Sequence, residues 1–511
     1  MTMPSDASGS TAMPSPSPST DTELISDPPS VELPWAMSLS LARIVSTSLV
    51  VIAMLLTFGI LAGDAGREVK GGLALALMLV LVLMRIPVGI SMMLAGLLGI
   101  QGVAGAAAVT NTLQTILFRS VASWPLTVLP MFILMGILLW RSGATGRIYD
   151  AARVWTGRVP GGLAVTTNLA GAGLAAVSGS TLGITYALGR LGIPEMLRSG
   201  YDPRFAAGAV LMAGTGGQLM PPSILMVIYA GVVGTPVGQQ LLAGVGPGIL
   251  LPIGFGITIV LMATLRPELA PRGPRITLTM RERMSTTIGA WPIVAVIGIV
   301  FGGIFSGVFT ATEAGAYGAA LAVIITFLFA GPRDGARLFR SGLVETASAT
   351  AGILLLIAGA GVITRMLTLS GLSRTLATYL EGLTLGRVQF LLLLVLMYLL
   401  LGMAIDPMTM VILTVPLLLP ALQALDISLL WFGAFIVLLG ELAIVTPPVG
   451  MLSFVVHKII SDPEVSEGRN VSLVDVFQSV LWFMPPAVIV LVLMIVFPEI
   501  VTWLPELSSA R

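Results

Sequence analysis

Residues 161–189 read GGLAVTTNLAGAGLAAVSGSTLGITYALG, an apolar run with a polar centre at Ser178-Gly179-Ser180-Thr181. Arginines flank it on both sides: Arg141, Arg147, Arg153 and Arg158 before it, Arg190, Arg198 and Arg204 after it. Basic residues near membrane segments collect on the cytoplasmic side, so both ends of the run belong there. At about 20 residues per crossing the run is too short to cross twice. A re-entrant helical hairpin satisfies both constraints. The polar backbone at its tip is tolerated at membrane depth only where protein encloses it or it lines a cavity.

The rest of the chain supports a membrane reading. Of 511 residues, 56% are hydrophobic and 10% charged, and the mean hydropathy is +0.99. A soluble domain is about 25% charged. The apolar runs are continuous rather than alternating, which points to helices and not a β-barrel. With no cysteine there is no disulfide, thiolate catalyst or Cys-ligated metal. His457 is the single histidine, so no His cluster exists, and a net charge of +1 gives no basic field for nucleic acid. Residues 1–34 carry Asp6, Asp21, Glu23, Asp27 and Glu32 among Ser, Pro and Thr, with no Lys or Arg. That stretch reads as a disordered tail rather than a signal peptide, which needs a basic start.

Further apolar runs lie near 41–63, 71–84, 87–104, 124–140, 205–233, 240–264, 288–307, 312–331, 344–368, 388–425, 430–457 and 479–498. They predict eleven spans and two hairpins, with Arg85-Ile86-Pro87 as a tight turn. The Arg-rich segments 141–158, 190–204, 266–283 and 333–340 are expected in the cytoplasm, the uncharged loops 234–239 and 307–312 outside. This parity puts the N-terminus in the cytoplasm and the C-terminus in the periplasm.

Two halves of the chain match at an offset of 226. Pro221-Pro222 precedes Pro447-Pro448 by that spacing, Pro194 precedes Pro420, and Ser178–Thr181 precede Ala404–Pro407. The second hairpin, 388–425, opens from the opposite side to the first, so the repeat is inverted. The expected organisation is a tail (1–34), an extra N-terminal helix (35–70), a first repeat (71–239), a connecting helix and loop (240–285), a second repeat (286–460) and a C-terminal helix (461–511). Inverted repeats with broken apolar segments at matching positions point to a secondary transporter with its site near the midplane. Adjacent prolines remove two N–H donors, so carbonyls freed at each break can face a cation and half-helix N-termini an anion.

The chain resembles the large membrane subunit of tripartite ATP-independent periplasmic (TRAP) transporters. The resemblance rests on Met131–Gly136, Ala176–Ser180, Ile193-Pro194-Glu195-Met196 with Gly200-Tyr201-Asp202-Pro203, and Pro221–Ile224. In the second half it rests on Gly307–Ala314, Leu413–Pro416 and Val445–Gly450. It implies an elevator-type, sodium-driven importer of small organic acids. It also implies a separate small four-helix membrane subunit and a periplasmic substrate-binding protein, in the bacterial inner membrane. The alternatives are a stand-alone dicarboxylate carrier or, in a different class, an ion channel. No nucleophile–base pair or metal-ligand cluster suggests an enzyme.

The expected substrate contacts are Ser178, Gly179, Ser180, Thr181, Pro221, Pro222, Ser223, Pro447 and Pro448. Two Na+ sites are expected. One lies between Ser178–Thr181 and Thr215, Gly216 and Gly217; the other lies between Ala404–Asp406 and Glu441–Thr446. Asp406 and Glu441 are intramembrane carboxylates, which are functional candidates by default. At offset 226 they occupy the slots of Ser180 and Thr215. Against these readings, Ser180 and Asp406 suit helix N-caps. Arg365 is read as snorkelling to the membrane surface, and Glu313 as structural.

Overall fold

The computed structural model describes residues 39–271, 279–382, 386–403, 405–447 and 450–509. The expected tail, 1–34, lies outside them. Two compact units divide the chain, Met1–Val50 and Val51–Arg511. Within the first, the described residues begin the helix α1 (Leu39–Ala62).

The second unit is helical throughout its described residues. It runs through α2 (Arg67–Leu83), α3 (Val88–Asn111), α4 (Leu117–Val121), α5 (Val128–Arg141) and α6 (Ala144–Thr156). The first repeat follows as α7 (Gly162–Ser178), α8 (Thr181–Arg198), α9 (Pro203–Thr215) and α10 (Ile224–Val233). Next come α11 (Val237–Ala243), α12 (Val245–Leu265), α13 (Met280–Gly289), α14 (Trp291–Phe305), α15 (Ala311–Ser370) and α16 (Leu372–Gly382). The second repeat is α17 (Arg387–Leu401), α18 (Pro407–Ala424), α19 (Leu429–Ala443) and α20 (Met451–Ile460), followed by α21 (Pro463–Ser466), α22 (Leu473–Val496) and α23 (Glu499–Ser509).

Both hairpin segments are interrupted where expected: α7 and α8 pack on each other, α17 and α18 part between Leu401 and Pro407 and each packs on α19, and both long spans are broken, as α9–α10 and α19–α20. Helix starts recur at the offset seen in the sequence: Thr181 with Pro407, Pro203 with Leu429. So do the caps. Ser180 and Asp406 cap α8 and α18, and Asp202 and Ser428 cap α9 and α19. Each cap pair is one hydroxyl and one carboxylate, interchangeable because either oxygen accepts from the orphan N–H groups of a first turn. The packing is reciprocal. Helix α10 lies against α18 and α19, and α20 lies against α8 and α9, the arrangement a twofold-related pair of repeats produces.

Around this unit, α15 packs along α3 and α5, and α2 along α3. The stripe Ile249, Ile253, Ile257, Leu261 and Leu265 on α12 is exposed. An apolar face turned outward at helical spacing suits hydrocarbon, not water. Arg85 takes a left-handed φ of 64° in the expected turn between α2 and α3.

Two expectations take a definite form. The runs 312–331 and 344–368 lie on two helices that follow each other without a loop inside α15: Gly331 (φ 74°, ψ 175°) is non-helical and separates them just before Pro332. Proline at a first helical position is compatible with an immediate restart, so the break costs a bend and no loop. The broken spans appear as shorter apolar helices beside the long ones. Among the described residues six helices are long and apolar enough to cross a membrane, or seven counting α13–α14, bent by 53°, as one. The repeats' interruptions divide apolar runs into pieces shorter than a crossing.

Candidate functional site

The first hairpin tip is built by two local rules. Gly179 ends α7 in the left-handed region (φ 56°, ψ 23°), which favours glycine. Ser180 then accepts the Gly183 N–H at 3.3 Å and starts α8. The first break follows the same logic. Helix α9 closes with the Thr215 hydroxyl donating to the Met212 carbonyl at 2.8 Å. Gly216 and Gly217 continue into a short tight turn, and Pro221-Pro222, joined by a cis peptide, contribute no donors. Ser223 accepts the Met226 N–H at 3.1 Å and donates to the Gln218 carbonyl. The Gln218 side-chain oxygen accepts the Leu225 N–H at 3.3 Å. Tip and break are in close contact: a methyl on Gly217 would sit 3.2 Å from the Thr181 nitrogen, and one on Gly179 would sit 2.5 Å from the Pro222 carbonyl oxygen.

In the second repeat Asp406 opens α18. One carboxylate oxygen accepts the Thr409 N–H at 3.1 Å and the other the Thr409 hydroxyl at 2.6 Å, with Pro407 at the first helical position. Gly402 backs onto Ala443, and a methyl on Gly440 would sit 3.1 Å from Pro407 Cβ. The Thr446 hydroxyl donates to the Leu442 carbonyl at 2.6 Å, and Pro447 follows in the irregular segment. Ala404 and Pro448 lie outside the described residues.

The two repeats meet at Glu441. This residue is fully buried, and its Oε2 accepts the Thr181 hydroxyl at 2.8 Å. Its backbone belongs to the second break, but its side chain reaches the first tip rather than Asp406. The other oxygen, Oε1, has no hydrogen-bond partner among the described residues. The buried hydroxyl of Thr185, one turn beyond Thr181, likewise has no partner among them; it packs on Gly214. Polar atoms left unpaired in an interior are costly unless something compensates them. Among the described residues no three Asp, Glu or His side chains cluster. The donor set is therefore carbonyls, hydroxyls and single carboxylates, the oxygen chemistry of hard cations.

Beside the first tip lies a cavity of about 490 Å³. Ser178, Ser180 and Gly183 face it with Gly136, Leu182 and Ile224. Thr181 turns instead toward Glu441. Gly179, Pro221, Pro222 and Ser223 do not line this cavity, though Ile224, next after Ser223, does. Ser453, which the sequence reading did not single out, is buried and donates to the Val445 carbonyl at 3.3 Å. It satisfies backbone at the second break, at a position with no counterpart of Ser223 at offset 226. Thr185 had a detectable signal, since its spacing of four from Thr181 places both on one helix face.

Over 398 residues the chain is 32% identical to the C4-dicarboxylate TRAP transporter large permease protein DctM of Pseudomonas aeruginosa, covering 77% of this chain and 87% of that protein. It is 31% identical over 438 residues to the sialic acid TRAP transporter permease protein SiaT of Haemophilus influenzae, covering 85% of this chain and 68% of that protein. It is 27% identical over 445 residues to the ectoine TRAP transporter large permease protein TeaC of Halomonas elongata, covering 85% of this chain and 98% of that protein. In fold it is similar to the YdaH transporter of Alcanivorax borkumensis, with a TM-score of 0.55 at 16% identity over 76% of this chain and 89% of that one. The family model for the tripartite ATP-independent periplasmic transporter, DctM component, matches residues 75–500, and the chain belongs to that family.

Proposed function

We propose that this chain is the large membrane subunit of a sodium-coupled importer of a small organic acid in the bacterial inner membrane. The similar proteins are named for C4-dicarboxylates, sialic acid and ectoine, all small and bearing carboxylates. A periplasmic binding protein delivers the substrate, and a separate small four-helix subunit completes the membrane complex. The observation that carries the coupling is Glu441, whose buried carboxylate joins the second break to the first tip and leaves one oxygen unpaired among the described residues. A cation beside it supplies the missing compensation. In this reading Na+ occupies one site at each tip and break. The two cations offset the charge of a carboxylate bound at the Ser178–Ser180 cavity, so ion and substrate favour each other equally in both directions. The reciprocally packed repeats move together as an elevator against α3, α5 and α15.

Uptake of labelled succinate by proteoliposomes tests this, with and without a sodium gradient, the small subunit and the binding protein. Sodium-dependent uptake that needs both partners is expected. Uptake indifferent to sodium removes the coupling. Robust uptake by this chain alone favours a stand-alone carrier.

A further inference from the structure

Arg365 is half-buried. It lies on α15 in a cavity of about 270 Å³ between α4, α10 and α15, together with Ser120, Gly231, Gly361, Thr364 and Thr368. Its Nε is shielded and has no hydrogen-bond partner among the described residues. None of the ion pairs among them includes it, and no Asp or Glu lines the cavity. The Thr368 hydroxyl is committed to the Thr364 carbonyl at 2.9 Å. Ser120 and Thr364 place further hydroxyls on the wall. Gly361 carries no side chain where a methyl would collide with the Ser120 oxygen, so α4 and α15 approach closely there and hold the wall.

A guanidinium is always charged and presents planar donors that match oxyanions. With its Nε shielded and no carboxylate beside it among the described residues, this half-buried guanidinium is open to an oxyanion partner. The cavity is smaller than the range of about 300–1,000 Å³ typical of drug-sized ligands, and so suits a small charged group. It is also separate from the tip cavity. Ile224 lines that one, and Gly231 and Val232 line this one, so the two lie at opposite ends of α10, about 10–12 Å apart along its axis.

We infer that the Arg365 cavity is an oxyanion site distinct from the hairpin tips, taking a phosphate group that bridges α15 to the end of α10. The phosphate comes either from the aqueous phase or from the headgroup of a phospholipid. Thermal unfolding of the purified full chain in neutral detergent tests it. The probes are potassium phosphate against potassium chloride at matched ionic strength, and dioctanoyl phosphatidylglycerol against dioctanoylglycerol. A ligand that binds only the folded chain raises the midpoint saturably. At least one phosphate-bearing probe is expected to do so. Its half-saturating concentration should rise at least tenfold in Arg365→Gln and less in Arg365→Lys. A response to potassium phosphate assigns the aqueous source; a response to the lipid alone assigns the headgroup. Ser120→Ala keeps the guanidinium and decides the matter if Arg365→Gln fails to fold, with a severalfold weakening expected. No saturable response to either probe, or a response that Arg365→Gln or, in its place, Ser120→Ala leaves unchanged, overturns the site.

Discussion

Glu441 and Asp406 are both carboxylates in apolar surroundings, but their bonds set them apart. Asp406 spends both oxygens on Thr409, while Glu441 spends one on Thr181 and leaves the other unpaired among the described residues. Thr181→Val and Glu441→Gln are therefore expected to be coupled. A double-mutant cycle in thermal unfolding should give about 1–2 kcal/mol of interaction; additivity within about 0.5 kcal/mol would show that the contact carries no energy. Asp406→Ala should cost about 1 kcal/mol as a lost cap, and Asp406→Asn a few tenths, because Asn still accepts from the Thr409 N–H. In uptake the same Asn separates capping from cation binding. If the carboxylate supports a sodium site, half-saturation moves to higher sodium at normal protein abundance. Sodium dependence at the wild-type value, with Glu441→Gln also silent, leaves backbone carbonyls as the ligands.

Each hairpin tip is fitted to its own break by glycines that leave no room for a side chain. At Gly179 two constraints coincide, a left-handed φ and the Pro222 carbonyl. Gly179→Ala is therefore expected to destabilise by about 1–3 kcal/mol. Gly216→Ala sits at a helical φ of −72° with nothing within 4 Å, so its midpoint should stay at or slightly above wild type. Equal losses at both positions would mean that the tip does not pack on the break in solution. The hairpins, the breaks and their pairing are legible in the sequence because prolines and polar tips recur at one offset and mark backbone interruptions directly. The contact of Glu441 with Thr181 is not. Offset arithmetic relates a position to its counterpart, but which tip a side chain reaches depends on how the repeats cross, and that is set by packing of α10 and α20 on the opposite hairpins. The closeness of the two helices within α15 was also hidden. Gly331-Pro332 has the composition of a terminator and does end a helix, but only the geometry shows that a second helix starts at once with no loop between.

That bend gives the whole molecule a test of its orientation. From Ala311 to Gly331 the helix is about 30 Å long, the thickness of the hydrocarbon core. Val308 before it and Asp334 after it must therefore lie on opposite sides of the membrane. From Pro332 to Ser370 the chain is about 60 Å long, more than one crossing needs. Its first part carries Arg333, Arg337 and Arg340, which suits a stretch along the surface before the helix enters the bilayer. Arginine at a membrane flank belongs in the cytoplasm, so Asp334 is placed inside and Val308 outside. Because the chain has no cysteine, single substitutions report without background. Val308 is 70% exposed and Asp334 is exposed, so either thiol is reachable. In intact cells whose outer membrane is permeable to small reagents, a membrane-impermeant maleimide should label Val308→Cys and spare Asp334→Cys until the inner membrane is broken. The opposite pattern would invert every span. The Ser178–Thr181 hairpin would then open from the periplasm, and the arginines at its base would face the wrong side. Labelling of both in intact cells would instead show that Ala311–Gly331 does not cross, and would remove the span on which the orientation of the second repeat depends.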